Sequence, residues 1–454
     1  MENIWTKYNE EKINAMNVFC EDYKRFLSTH KTERECIEYT INVAEKNGFI
    51  NLEKAILENK KLKAGNKVYS VNMGKAILLM VIGSEPMVKG MNLIGAHIDS
   101  PRLDLKATPV YENNGLCLFD THYYGGIKKY QWTALPLAMH GVVVKKNGEK
   151  IKLVLGEDDS DFVFGISDLL PHLESKEKEN KKDIKGEDLN VLVGSIPDSN
   201  TKEKDKVKSN ILKILKQYGI DEEDLFSAEI EIVPSGRARD FGLDKSMIMG
   251  YGQDDRVCAF SALNAILDIN NPKTTSICML VDKEEIGSVG ATGMSSKFFE
   301  NSIAEIMNLA EQYNELDMRR ALNKSRMLSS DVTAGFDPNY PTPMNEKTDA
   351  YLCRGIAFNK YTGSRGKYDA NDANPEFIAK LRNALDNDNV FYQATEMGKV
   401  DAGGGGTIAY IMAGYGMEVI DAGVPLLNMH APWEIASKVD IYESYLCYKS
   451  FYKM

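Results

Sequence analysis

At 454 residues the chain is long enough to bury a large core and to divide into more than one domain. Its composition, 43% hydrophobic and 27% charged, is that of a globular protein, and a formal net charge of -11 argues against non-specific binding to nucleic acid or to an anionic membrane surface. The seven cysteines are scattered, odd in number and without CxxC spacing, so they read as reduced thiols. The opening MENIWTKYNEEK has neither a basic nor an apolar leader region, and no apolar run is long enough to span a bilayer. These features together predict a cytoplasmic protein without a membrane partner.

In chain order, Thr32 and Glu35 fit a capping box at the start of a helix carrying Ile37, Thr40, Ile41 and Ala44, which Asn47-Gly48 ends. Strand-like runs follow at Lys67 to Asn72, Ala76 to Ile82 and Met91 to Ala96, the last leading into His97. From about Leu105 to Pro234 the texture changes. Asn113-Asn114-Gly115 and Asn147-Gly148 lie between apolar runs and predict hairpins. Two Lys/Glu-rich stretches, Glu174 to Asp188 and Asp198 to Ser209, read as solvated loops or exposed helix.

Strand and helix then alternate. Val257 to Ile269 predicts a helix, Ser276 to Val281 a buried strand, and Phe298 to Leu322 a largely helical stretch. Met327 to Ser329 leads into Asp331, Pro375 to Asp386 forms a helix with proline at its start, and Val419 to Asp421 reads as a strand. A helix is expected to open near Trp433. This pattern predicts an α/β fold with a mixed, mostly parallel sheet sandwiched by helices, interrupted by a β-rich insert. The expected domain limits are 1–104 and 235–454 for the interrupted domain and 105–234 for the insert.

Five stretches offer metal-ligating groups, and four of them follow strand-like runs, where α/β folds place their sites. In GAHIDSPR, Asp99 is two residues from His97 and suited to hold the imidazole of a ligand histidine; alone, such a pair is more often structural. In YGQDDR, one acid is enough to cap the following helix, and adjacent like charges call for a cation nearby. Asp254 is the expected ligand, with Asp255 supporting it. In LVDKEEIGS, two acids directly after a buried strand are costly without a cation, unless the turn is simply solvated. Glu285 then binds metal and Glu284 takes a proton from a metal-activated water. Asp331 and His430 complete the count. The Gly403 to Gly406 run could offer main-chain N–H groups to a substrate or be a plain turn. HExxH, GxSxG and P-loop motifs are absent.

The order His-x-Asp, Asp-Asp, Glu-Glu, Asp, His, carried by GAHIDSPRLDLK, DKEEIGSVGATG, SSDVTAGFDPNY and NMHAPWE, resembles the aspartyl aminopeptidase and vacuolar aminopeptidase I family of dinuclear zinc exopeptidases. The resemblance implies a zinc-exopeptidase-like fold and two zinc ions per subunit, with cobalt or manganese as substitutes. His97 and Asp331 would hold one ion, Glu285 and His430 the other, with Asp254 bridging. Glu284 would be the general base and Asp99 the partner of His97. The insert would be a dimerisation domain, and its His172 would reach into a partner subunit's active site, with dimers assembling into a dodecamer. Peptides are the implied substrates. Ala334 and Asp337 stand where aspartyl-specific members carry histidines, a departure that bears on preference for an acidic residue. Arg365 and Lys367 are candidates to meet an acidic side chain, or simply surface charges.

Removal of N-terminal amino acids from peptides is therefore the expected activity. A dinuclear-metal amidase or deacylase acting on small amides would use the same groups. A catalytically silent assembly protein would have lost some of them, and here none is missing.

Overall fold

The computed structural model describes residues 2–158, 160–173, 184–363, 365–368 and 370–454. Of the Lys/Glu-rich stretch Glu174 to Asp188, residues 174–183 thus lie outside the described residues. The chain forms two compact units. The larger comprises residues 1–99, 238–429 and 434–454, and the smaller residues 100–237 and 430–433.

The larger unit is built on a nine-stranded sheet. Its order is Ile50–Asn51, Lys67–Asn72, Ala76–Val81, Ser276–Val281, Asn92–His97, Arg326–Ser329, Glu418–Gly423, Ile356–Asn359, Tyr392–Thr395. The four central strands from Ser276–Val281 to Glu418–Gly423 run parallel, and antiparallel pairs flank them. Successive side chains of a strand point to opposite faces, so a strand covered on both sides must be apolar throughout. Ala76–Val81 shows this: Ile77, Leu79 and Val81 join one hydrophobic layer, while Leu78 and Met80 join the other. Cys278 and Leu280 divide from Ile277, Met279 and Val281 in the same way. Each such aliphatic side chain contributes about 1.5–3 kcal/mol on full burial.

Helices Glu10–Thr29, Glu33–Lys46, Gln253–Leu267, Pro375–Asn387 and Lys438–Tyr452 supply the first layer. Phe298–Leu309, Glu315–Lys324 and the short Leu52–Leu57 and Ala409–Ala413 supply the second. The Thr32–Glu35 capping box is formed, with both reciprocal bonds present. The expected helical stretch from Phe298 to Leu322 is two helices, because Glu311 takes a left-handed conformation (φ 58°) and Asn314 caps a new start. No helix among the described residues is long and apolar enough to cross a membrane.

A second sheet of this unit has the order Arg239–Phe241, Met247–Gly250, Glu434–Ser437, Pro425–Leu427, Thr333–Ala334. It corrects the helix expected near Trp433. Residues Glu434–Ser437 pair on both sides, with Met247–Gly250 and with Pro425–Leu427, and the helix opens only at Lys438. Tertiary pairing has overridden a helix-compatible apolar pattern.

The smaller unit is a six-stranded antiparallel sheet in the order Lys150–Leu155, Leu137–Val144, Ala228–Pro234, Arg102–Asn113, Leu116–Tyr124, Val191–Gly194. Asn114 and Gly115 both have positive φ (50° and 76°), as the tightest hairpin turn requires. Asn147-Gly148 turns the second expected hairpin. Helix Lys206–Gln217 packs Val207, Ile211 and Leu215 inward, so the stretch Asp198 to Ser209 runs from loop into helix.

Candidate metal centre

Strand register brings three motifs together in the larger unit. Asn92–His97 lies between Ser276–Val281 and Arg326–Ser329, parallel to both, with His97 opposite Val281 and Gly95 opposite Ser329. The carboxyl ends of these three strands therefore deliver His97, the Glu284–Glu285 turn and Asp331 side by side, where an open α/β sheet forms its crevice. Asp254 and Asp255 enter at the mouth of helix Gln253–Leu267. Gly252 precedes them in the left-handed region (φ 66°), and both acids depart from helical geometry.

His97 is the hub and is almost fully buried. Its Nδ1 lies 2.9 Å from the main-chain oxygen of Asp99. A carbonyl only accepts, so Nδ1 carries a proton and Nε2 faces the acids. Nε2 is 3.1 Å from Asp254 Oδ1, 3.8 Å from Asp331 Oδ1 and 3.9 Å from Glu284 Oε2. Three sets of ligand atoms each fall within 4.8 Å of one another: His97, Asp254 and Glu285; His97, Glu284 and Asp331; Asp254, Asp255 and Asp331.

Crowded carboxylates resist ionising together. Burial, and next the charge of Asp331, push the Glu284 carboxyl up to about 8. Burial and Asp331 likewise hold Asp255 well above the usual carboxylate range. Burial opposes a charge on His97, but hydrogen bonding to Asp254, Asp331 and Asp99 outweighs it and lifts the imidazole well above its ordinary value. This donor set of one imidazole and several converging carboxylates fits a hard-to-borderline divalent cation such as zinc, which relieves that repulsion.

Main-chain hydrogen bonds fix the motifs. The carboxylate of Asp99 accepts the N–H groups of Glu284 and Glu285, one on each oxygen, both at 3.1 Å. Asp255 Oδ2 accepts the N–H of His97 at 3.4 Å. Glu434, which the sequence reading did not single out, accepts the N–H of Asp254 at 3.0 Å. The only clue to it in the sequence is an acid closing the HAPWE stretch and followed by apolar Ile435 and Ala436.

His430 belongs to the smaller unit, where its Nδ1 is 2.9 Å from the Gly126 carbonyl oxygen. His172, in the same unit, is exposed on a short turn at Pro171–Leu173. In the glycine run, the N–H of Gly403 donates to Lys399 and that of Gly405 to Thr362, so those two groups are engaged within the chain. Thr407 donates to the buried Asp421 at 2.7 Å. Lys367 is exposed and paired with Asp372 at 3.1 Å, and Arg365 is exposed.

Residues 26–452 match the family described as aminopeptidase I zinc metalloprotease (M18). The chain belongs to that family. A probable M18 family aminopeptidase 1 from Clostridium acetobutylicum is 58% identical over 452 residues, covering 99% of this chain and 97% of the relative. The crystal structure of an M18-family aminopeptidase from Thermotoga maritima superposes with a TM-score of 0.94 at 42% identity, covering 100% of this chain and 99% of that one. A dodecamer from S. cerevisiae covers 97% of both chains with a TM-score of 0.77; at 18% identity it shows the fold alone. The chain is thus a metal-dependent aminopeptidase with the zinc-exopeptidase-like fold. Neither a small-amide deacylase nor a silent assembly protein is favoured by these likenesses.

Proposed function

We propose that the chain removes N-terminal amino acids from peptides with two zinc ions per subunit, held by His97, Asp254, Glu285, Asp331 and His430. Asp254 would help to hold both ions, and cobalt or manganese could stand in for zinc. The observation that carries this reading is the convergence of Asp254, Asp331 and Glu284 on His97 Nε2 at 3.1, 3.8 and 3.9 Å. When bound, the metal pair supplies Lewis-acid polarisation of the scissile carbonyl and a water acidic enough to ionise near neutral pH.

Glu284 takes the proton of the attacking water and delivers it to the leaving amine. Its carboxylate lies 3.9 Å from His97 Nε2, beside the groups that would hold the metals and within reach of a water between them. Asp99 holds the His97 tautomer through its main-chain oxygen and sets the Glu284–Glu285 turn through its carboxylate. Burial of His97, Asp99 and Asp255 limits water around the reacting groups.

The smaller unit is the self-association domain in this reading. Its exposed Leu169, Leu170 and Leu173 flank His172, an apolar surface suited to a second copy. His172 then serves the active site of a neighbouring copy, and dimers build a dodecamer; the yeast protein of the same fold is a dodecamer.

Glu284→Gln tests the central role. Removing a general acid–base group costs about 10²–10⁴-fold in kcat. The variant is expected to lose that much while retaining its zinc. Unimpaired peptidase activity with zinc bound would overturn the assignment.

A further inference from the structure

We propose that Glu434 is a positioning residue of the metal centre, setting Asp254 through its main-chain N–H. This rests on the ligand role given to Asp254 above.

The carboxylate of Glu434 is buried, with 1% of the residue exposed, and its Oε2 accepts the Asp254 N–H at 3.0 Å. The first N–H groups of a helix have no partner within the helix, so an outside acceptor decides where they point. Glu434 also grips the preceding residue. Its carbonyl oxygen accepts Gln253 Nε2 at 2.7 Å. Gln253 is itself fully buried, donates to the Ile248 carbonyl at 3.1 Å and accepts from the Tyr23 hydroxyl at 3.2 Å. Glu434 lies on a strand opposite Gly250, four residues before Asp254. Strand, turn and helix mouth are thereby locked as one piece. Asp254 needs this, because its φ and ψ (-80° and 108°) are not those of the helix around it.

The contact is one of three of the same kind. Asp255, beside Asp254, accepts the N–H of His97. Asp99, two residues after His97, accepts the N–H groups of Glu284 and Glu285. In each case a carboxylate beside one motif receives the main-chain N–H of another motif's metal-facing residue. The chain of contacts runs from Glu434 to Asp254–Asp255, then to His97–Asp99, then to Glu284–Glu285. Glu434 is its outermost link.

What matters in such a link is where the acceptor oxygen lies, not its charge. Glu434→Gln keeps an oxygen at full reach. Glu434→Asp keeps the charge but withdraws it by about one C–C bond, ~1.5 Å. The test measures zinc affinity by chelator competition and the visible spectrum of the cobalt-substituted protein, alongside melting temperature. Glu443→Asp is the matched control: Glu443 is equally buried and accepts the Phe391 N–H at 2.8 Å, a residue with no part in the metal centre.

Glu434→Asp is expected to weaken zinc about 10–100-fold, the usual loss for a group that orients a metal ligand, and to alter the cobalt spectrum. Glu434→Gln should keep both near wild type, and Glu443→Asp should lower only the melting temperature. Unchanged zinc affinity and spectrum in Glu434→Asp would overturn the proposal. So would an equal loss of zinc affinity in Glu443→Asp, since the effect would then be general destabilisation. Failure of the ligand role of Asp254 would show instead as unchanged zinc affinity in Asp254→Ala.

Discussion

Gly423→Ala should disable the metal centre from behind. Gly423 ends the strand beside Arg326–Ser329, and an ideal Cβ on it would lie 1.7 Å from the main-chain oxygen of Asp331 and 2.4 Å from its carbonyl carbon. Non-bonded carbon and oxygen approach no closer than about 3.3 Å, so roughly 1.6 Å must be opened. Both neighbours are backbone, so no side chain can swing aside. Forced overpacking of this kind costs about 1–3 kcal/mol. Asp331, already 3.8 Å from His97 Nε2, must move with its carbonyl or the strand must retreat from it. A displacement of about 1 Å at a reacting site lowers turnover about 10²-fold. Steady-state kinetics on an aminoacyl-nitroanilide, with zinc content measured in parallel, should show kcat/KM reduced by about that factor in a protein that still folds. A folded Gly423→Ala enzyme with wild-type kcat/KM and zinc content would refute the reasoning.

Zinc loading of the metal-free protein should release protons. Near pH 7 the Glu284 carboxyl, pushed up to about 8 by burial and Asp331, and the His97 imidazole, lifted by its carboxylate partners against burial, both hold protons that a cation displaces. Apparent zinc affinity therefore rises with pH through neutrality, and calorimetric heats should differ between buffers of different ionisation enthalpy; buffer-independent heats would contradict this. Asp440→Asn should destabilise without touching the chemistry. The buried Asp440 accepts the Cys353 and Gly355 N–H groups, one on each oxygen at 2.6 and 2.7 Å, and asparagine can accept only one. The orphaned N–H costs about 1–3 kcal/mol, seen as a lower melting temperature with unchanged kcat/KM of the folded enzyme.

Much of the fold was legible because local chemistry and tertiary demand agree. The Thr32–Glu35 box, the Asn114-Gly115 and Asn147-Gly148 turns and the proline opening Pro375–Asn387 each satisfy a rule confined to a few residues. The strand ending at His97 was legible for the same reason, since a central strand must be apolar on both faces. What escaped was set by distant partners. Glu434–Ser437 is a strand only because Met247–Gly250 and Pro425–Leu427 flank it; its own residues suit either structure. The second task of Asp99, holding the N–H groups of Glu284 and Glu285, spans 185 residues of sequence and leaves no trace in spacing. Glu434 is silent in the sequence because one acid near a histidine motif has no signature of its own. Spacing alone leaves the glycine run open between N–H donors for a substrate and a plain turn; in the fold, Gly403 and Gly405 donate to Lys399 and Thr362.

The most direct measurement is anomalous scattering at the zinc edge from crystals of the zinc-loaded, active enzyme. Two peaks per subunit are expected, both in contact with Asp254, one also meeting His97 and Asp331 and the other Glu285 and His430. Zinc peaks in an active enzyme that lie away from His97 and Asp254 would contradict the assignment.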